Sequence, residues 1–186
     1  MDAIELLKTR ASNGKLTDPG PDEQSLRLAL EAASRAPDHC GLRPWRVHLV
    51  RGSARVRLGE LMAGALRRKN PDASPEELDK TRRKALRAPL VIVVSAVLKP
   101  HPKVPEVEQL LCAGTAAHAI LLSLQASGYA AIWRTGAPAY DPDVKAAFGL
   151  GPQDAVIGFL YAGTPSQPAP EMARPSPEQF TVEWSS

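Results

Sequence analysis

The side chains best suited to chemistry in this chain are arginines and small polar groups set at the ends of apolar segments. Arg10 and Ser12 leave the first apolar stretch, Arg35 and His39 flank an Ala36-Pro37 break, and Trp133-Arg134-Thr135-Gly136 closes a strand-like run. Guanidinium forks beside hydroxyls are the donor sets that hold phosphates. Arg134 carries the most weight, because a guanidinium at the end of a buried strand requires an anionic or acceptor-rich partner. Arg10 reads equally well as a surface charge, and a loop histidine such as His39 more often makes a structural hydrogen bond. No nucleophile–base pair, HExxH, P-loop or GxGxxG motif accompanies these residues. Cys40 and Cys112 have neither CxxC nor Cys/His ligand spacing, which points away from a zinc site or a disulfide scaffold. No metal site is expected.

The stretch that must position these groups is Glu106 to Gly128, EVEQLLCAGTAAHAILLSLQASG. Pro105 and Glu106 suit a helix start, and Gly128 suits a left-handed cap at its end. Between them there is no clean polar face, so the helix is expected to be buried on every side. Leu110 to Leu124 is too short for a membrane span and carries His118 and Thr115. Cys112 reads there as a small apolar filler. A chain of 186 residues has little material to cover such a helix all round, and a partner subunit would supply the rest.

Upstream, Asp2 is expected to cap a first helix carrying Ile4, Leu6 and Leu7, which Asn13-Gly14 terminates. Thr17 to Pro21 reads as a turn-rich link, and a second helix runs from about Asp22 to Arg35. Trp45, Val47 and Leu49 alternate with polar residues at strand period. A helix over about Ala54 to Lys69 follows, and Ser74-Pro75-Glu76-Glu77 opens another through a capping box. The Lys80, Arg82, Arg83, Lys84 and Arg87 side chains of that helix read as a solvated basic face rather than a binding patch. Leu90 to Val97 fits a central strand, Tyr129 to Arg134 a second interior strand, and Ala155 to Tyr161 another. Asp141-Pro142 starts a short helix between them. Gly163 to Pro177 is proline-rich and extended, and Gln179 to Trp184 alternates as a strand that would pair with another subunit. The expected organisation is one domain over residues 1–164 with an arm over 165–186 that crosses to a partner.

Net charge is +3 with a sequence pI near 9.0, and 44% of residues are hydrophobic, enough for a core. The basic balance is compatible with nucleic acid, but no reader motif is present and nucleic-acid binding is not expected. A solvated helix face, with a few cations serving a phosphorylated cofactor, accounts for it. Met1 is followed by Asp2 and Glu5 without a secretory pattern, so a cytoplasmic protein is expected.

Arg10-x-Ser12, Arg35-Ala36-Pro37-Asp38-His39 with Pro44-Trp45, and Gly128-x4-Trp133-Arg134-Thr135-Gly136 together resemble the flavin-dependent nitroreductase family, in particular its small YdjA-like subgroup. Lys103-Val104-Pro105 with Glu108, and Gly158-Phe159-Leu160-Tyr161-x-Gly163-Thr164-Pro165, are similar to that subgroup too. The resemblance implies an α+β fold: a mainly antiparallel sheet with flanking helices, assembled as an intertwined homodimer with C-terminal strand exchange and FMN at the interface. Carried over by position, Arg10, Ala11 and Ser12 would approach the FMN phosphate and ribityl chain, as would Trp133, Arg134 and Thr135. Arg35 and His39 would reach the FMN of the other subunit. Ser123, Leu124, Gln125, Ala126, Ser127 and Gly128 would lie where the subgroup receives NAD(P)H. One departure is plain: the family pattern is Arg-Arg-Ser, and here its middle position is Ala11, which removes a phosphate contact.

The chemistry implied is hydride transfer from NAD(P)H to flavin N5, then reduction of a nitroaromatic, quinone or similar acceptor in the same place, with ping-pong kinetics. The cofactor carries the reaction and no side chain has to be a nucleophile. A flavin reductase or dehydrogenase specialised for one metabolite, and a flavin-binding protein with little turnover, are the alternatives.

Overall fold

A computed structural model describes residues 2–185. Its centre is β3, Leu90–Ala96, in which all seven residues are buried. A strand buried on both faces must be covered by helices on both sides, and this run of Val, Ile and Leu is. β2 (Trp45–Arg51) and β5 (Ala155–Pro165) pair antiparallel with β3 on either side, and β4 (Ala130–Arg134) pairs antiparallel with β5. The two-residue β1 (Leu16–Thr17) joins the far end of β5, at Thr164 and Pro165. The link expected over Thr17 to Pro21 therefore begins inside the sheet. Two residues are too few for a period-2 signal, and only the pairing with β5 defines this strand.

One face of the sheet packs under α2 (Glu23–Ala33) and α5 (Glu106–Ala126), which bring Leu26, Ala29, Ala116, Ile120 and Leu124 onto Ile92, Val94 and Leu160. The other face packs under α3 (Ala54–Lys69) and α7 (Pro142–Ala147), with Leu58, Met62 and Val144 against Val91, Val93 and Phe159, and α4 (Pro75–Lys84) packs on α3. The class is α+β, as expected. α3 and α4 approach closely at Gly59, where an added Cβ would stand 2.5 Å from the Arg82 carbonyl oxygen.

Local signals account for most helix ends. Ser74 and Glu77 form the expected capping box, with 3.2 and 2.8 Å hydrogen bonds. Asp22 caps α2 through a 2.7 Å bond from Ser25 N–H. Asp141 caps α7, and Arg68 of α3 donates to both its oxygens at 2.7 and 2.8 Å. Asp2 differs from expectation. It precedes α1 (Ala3–Thr9) but makes no side-chain cap; only its carbonyl accepts, from Leu6 N–H at 2.9 Å.

Two expectations that call on a second subunit are not met within the single chain. α5 is not buried all round: Val107 is 58% and Leu111 66% exposed, on a flank that continues through Gly114 and Thr115. The sheet, α2 and α1 contact this helix, and among the described residues the flank through Val107 and Leu111 stays open. Cys112 does pack inside as a filler, and burial pushes its thiol pKa up to about 11. Residues 180–185 form no strand on their own chain; they follow a single turn at Pro177–Gln179. Phe180, Val182 and Trp184 are 69%, 89% and 93% exposed. A strand is defined by its ladder, and among the described residues this segment pairs with no strand of its own chain.

Candidate functional site

β4 ends at Arg134, and the chain turns through Gly136 at φ +97° into α6 (Ala137–Tyr140). Two adjoining cavities, of about 700 and 500 Å³, open at this point. The first is lined by Ser12, Lys15, Ile132 and the start of the C-terminal arm at Ser166 and Gln167. The second is lined by Met62 and Leu66 of α3, Lys84 of α4, Trp133 and Thr135. Arg87, Arg134 and Tyr161 line both, so the two form one cleft with a shared rib.

The cleft is electrostatically one-sided. Among the described residues, no aspartate or glutamate lines either cavity. Among the same residues, no ion pair joins Lys15, Lys84, Arg87 or Arg134 to a carboxylate. Tyr161, only 4% exposed, has its hydroxyl pKa raised by burial while the Arg134 and Arg87 charges pull it down. Four cations with no carboxylate partner among the described residues, set around a partly desolvated phenol, could take an anion.

Trp133 and Arg134 owe their placement to β5, through the pairs Trp133↔Leu160 and Arg134↔Phe159. The Trp133 indole N–H donates to the Ile157 carbonyl at 3.2 Å and lies against Gly158. A Cβ at Gly158 would stand 2.0 Å from Trp133 Nε1, so only glycine admits the ring. The Arg134 guanidinium leans over Gly14, where an added Cβ would lie 3.6 Å from Nη2.

The segment carrying Ser12 is held by Asn13, which is 3% exposed. Its N–H donates to the Ala131 carbonyl at 3.0 Å, its Nδ2 to the Gln167 carbonyl at 2.8 Å, and its Oδ1 accepts from Lys15 N–H at 2.9 Å. Asn13 thus fastens residues 12–15 to β4 and to the arm. It also separates its neighbours. Ser12 faces the basic cleft, whereas Ala11 lines a third cavity of about 320 Å³ with Gln125 and Tyr129. Arg10 caps the end of α1, with its carbonyl accepting from Arg174 Nη2 at 3.3 Å.

Arg35 is exposed just past the end of α2, and His39 Nδ1 pairs with Glu108 Oε2 at 2.8 Å. Neither lines the basic cleft within one chain. Their loop is tightly built: the Asp38 carboxylate accepts from the Leu42 and Arg43 N–H groups, and Cys40 and Arg43 take φ +63° and +49°. Non-glycine residues in the left-handed region are uncommon and hold there only when their surroundings fix them. In the 123–128 segment, Gln125 lines the third cavity, but Leu124 is 0% exposed and packs wholly in the core. A helix turns its side chains in all directions, so a contiguous segment cannot all face one ligand. Ser123 and Ser127 are half-buried, Ala126 and Gly128 exposed, and Gly128 ends the helix at φ +85°.

Lys15, Lys84, Arg87, Tyr161 and Asn13 are members of the site that the sequence alone does not single out. Lys84 and Arg87 belong to the basic run assigned to solvent, and for Arg82 that assignment holds, since it pairs with Glu60 and Asp79. Arg87 lies beyond the helix end, immediately before the Ala88-Pro89 entry to β3.

Residues 7–164 match the Nitroreductase family. The chain is 39% identical over 184 residues to the Escherichia coli (strain K12) protein called "Putative NAD(P)H nitroreductase YdjA", covering 98% of this chain and 99% of the relative. Among solved structures, the Nitroreductase-like family protein from Bacillus cereus superposes with a TM-score of 0.82 at 23% identity, covering 98% of this chain and 96% of that one. A nitroreductase with bound FMN from Bacteroides fragilis NCTC 9343 gives a TM-score of 0.74 at 18% identity and covers all of both chains. Fold, motif residues and relatives agree: the chain belongs to the nitroreductase family, a family of oxidoreductases.

Proposed function

We propose that the protein is a cytoplasmic, FMN-dependent NAD(P)H oxidoreductase that reduces nitroaromatic, quinone or similar acceptors. The observation that carries this reading is the carboxylate-free cationic cleft at the end of β4, built by Ser12, Lys15, Arg87 and Arg134 around Tyr161. The donor set fits FMN, whose phosphate is a dianion near neutral pH. Ser12, Lys15 and Arg134 would hold that phosphate, with Trp133 and Thr135 beside it and Asn13 keeping the segment in place. FMN bound there supplies two-electron hydride chemistry at N5, between a nicotinamide and an acceptor.

The side chains contribute binding, orientation and the field. Guanidinium and ammonium charges against a partly desolvated wall stabilise negative charge more than they would in bulk water. Leu66, half-buried over the core side chains Phe159 and Met62, gives the cleft an apolar wall that excludes water. Reduction and reoxidation of one flavin in turn gives ping-pong kinetics. Gln125, with Ser123, Ser127 and Gly128 beside it, would contact NAD(P)H at the third cavity.

The working form is a homodimer. The open flank of α5 and the exposed Phe180, Val182 and Trp184 support this, with residues 165–186 crossing to the partner as a strand-bearing arm. Arg35 and His39, which lie away from the cleft of their own chain, would then reach the partner's FMN. The test is calorimetric titration of FMN into apo-protein, wild type against Arg134→Gln and Ser12→Ala. A hydrogen bond to a charged group is worth about 1.5–3 kcal/mol, so Arg134→Gln should weaken FMN by about ten- to hundredfold. Unaltered affinity in both variants would remove the phosphate from this cleft.

A further inference from the structure

We propose that the second cavity, bounded by α3, α4 and the Trp133–Pro138 segment, seats the electron acceptor and selects an aromatic ring bearing a carboxylate. The proposal rests on the flavin-reductase reading above and names its substrate class. The first argument is room. The two cavities, of about 700 and 500 Å³, together exceed the upper end of roughly 1,000 Å³ for a single small-molecule site. The cleft therefore has space for a second ligand beside FMN.

The second argument is surplus charge. Ser12 and Lys15 line only the first cavity, and the Arg134 guanidinium lies over Gly14 on that side, so these three suffice for a phosphate. Lys84 lines only the second cavity, and Arg87 stands on the wall between the two. Neither is joined to a carboxylate among the described residues. Arg82, from the same basic run, is fully engaged with Glu60 and Asp79. The run thus divides into a cation paired on the surface and two left facing the cavity.

The third argument is the shape of the remaining wall. Trp133 offers ring surface above the nearly fully buried Phe159 and Met62, and Met62 Sδ lies 3.9 Å from the Tyr161 hydroxyl oxygen. An aromatic body placed there meets aromatic and thioether groups. A carboxylate on that body meets Arg87 and Lys84 at the rim. Burial of Tyr161 shows that this wall is desolvated, where a charge pair is stronger than in bulk water. A neutral ring gains the stacking without the ion pair, and a cationic ring is repelled.

The experiment compares para-nitrobenzoate with para-nitrobenzamide, near-isosteres that differ in charge. Each is titrated by calorimetry into protein with and without FMN, and each is also assayed as an acceptor. Turnover follows ArNO2 + NADPH + H+ → ArNO + NADP+ + H2O, so the carboxylate is a handle and takes no part in the electron balance. The expected result is an approximately tenfold preference for the benzoate in affinity and in kcat/KM, about 1.4 kcal/mol, shrinking as salt rises. The preference should fall to about one in Lys84→Gln/Arg87→Gln and persist in Arg87→Lys, which keeps the charge. Equal binding of the two ligands to the wild type would overturn the proposal. So would an unchanged preference in the double variant accompanied by FMN weakened more than tenfold, or by a shift confined to the NADPH/NADH ratio. Those outcomes would give the two cations to the flavin or the reductant. If FMN fails to bind yet the benzoate preference survives in FMN-free protein, the flavin reading falls and the anion site stands. If NADPH reduces bound flavin while the two ligands bind alike, the site falls and the flavin reading stands.

Discussion

Gly158→Ala is the substitution whose outcome the packing of the site determines most sharply. Gly158 pairs with Val94 of β3 and lies against the Trp133 indole, whose Nε1 donates to the Ile157 carbonyl at 3.2 Å. A methyl group at residue 158 would stand 2.0 Å from Nε1, 2.6 Å from Cδ1 and 2.9 Å from Cε2. The indole is rigid and hydrogen-bonded, so it has to leave its seat. Overpacking of this kind costs about 1–3 kcal/mol. Loss of the indole hydrogen bond adds about 1 kcal/mol. The expected destabilisation is about 2–4 kcal/mol, or a drop of about 4–16 °C in Tm for a chain of this length. Because Trp133 precedes Arg134 on β4, FMN affinity should fall as well. The assay is thermal unfolding with and without FMN, for Gly158→Ala, Trp133→Phe and the double variant. The smaller ring should leave room for the methyl group, so the double variant should be more stable than Gly158→Ala and clearly non-additive. Simple additivity, or a Gly158→Ala protein as stable as wild type, would refute the proposed contact.

Gly114 offers a test of the dimer. In the single chain an added Cβ there meets nothing within 4 Å, so Gly114→Leu should leave a monomer folded. If α5 packs against a partner, the same change should convert the dimer to monomer in light scattering; an intact dimer would place the interface elsewhere. The pH dependence of stability should show two acid steps. His48 has its pKa lowered by burial, then by the Arg46 charge, and its Nδ1 is buried without a hydrogen-bond partner among the described residues. The unfolded chain takes up that proton first, so stability should decline as pH falls below about 6.5, and His48→Leu should flatten this step. Asp141 has its pKa held below the usual carboxylate range by the Arg68 hydrogen bonds and its cap to Val144. Its contribution should be full above that range and be lost as pH falls through it towards the lower folded value. Arg68→Gln should make this second loss smaller and end it at higher pH, as read from urea midpoints across the range.

How much the sequence revealed follows from where each signal is stored. α4 and its capping box, the buried and mostly apolar β3 and the end of α5 at Gly128 were legible because cap chemistry and burial pattern are local. The candidate cleft was legible at Ser12 and Arg134, where charged or hydroxyl groups interrupt apolar elements. It was not legible at Asn13, which reads as a helix breaker yet is a buried tie between β4 and the arm. Nor was it legible at Arg87, because a basic helix face looks the same whether it meets water or a cavity. Ala11 and Ser12 are adjacent in the chain but serve different cavities, and only the turn at Asn13 reveals it. The tail is the converse case. Its period-2 pattern is legible, but no ladder forms there among the described residues of one chain.

The claim at the centre of this account is that the cleft between Ser12 and Arg134 holds a flavin that NAD(P)H reduces. The most direct measurement is anaerobic mixing of the FMN-loaded protein with NADPH, and separately NADH, while the visible absorption of the bound flavin is followed. Rapid bleaching with at least one nucleotide, restored by a nitroaromatic or quinone acceptor and slowed in Arg134→Gln, is the predicted result. Protein that takes up no FMN, or bound flavin that neither nucleotide bleaches, would contradict it.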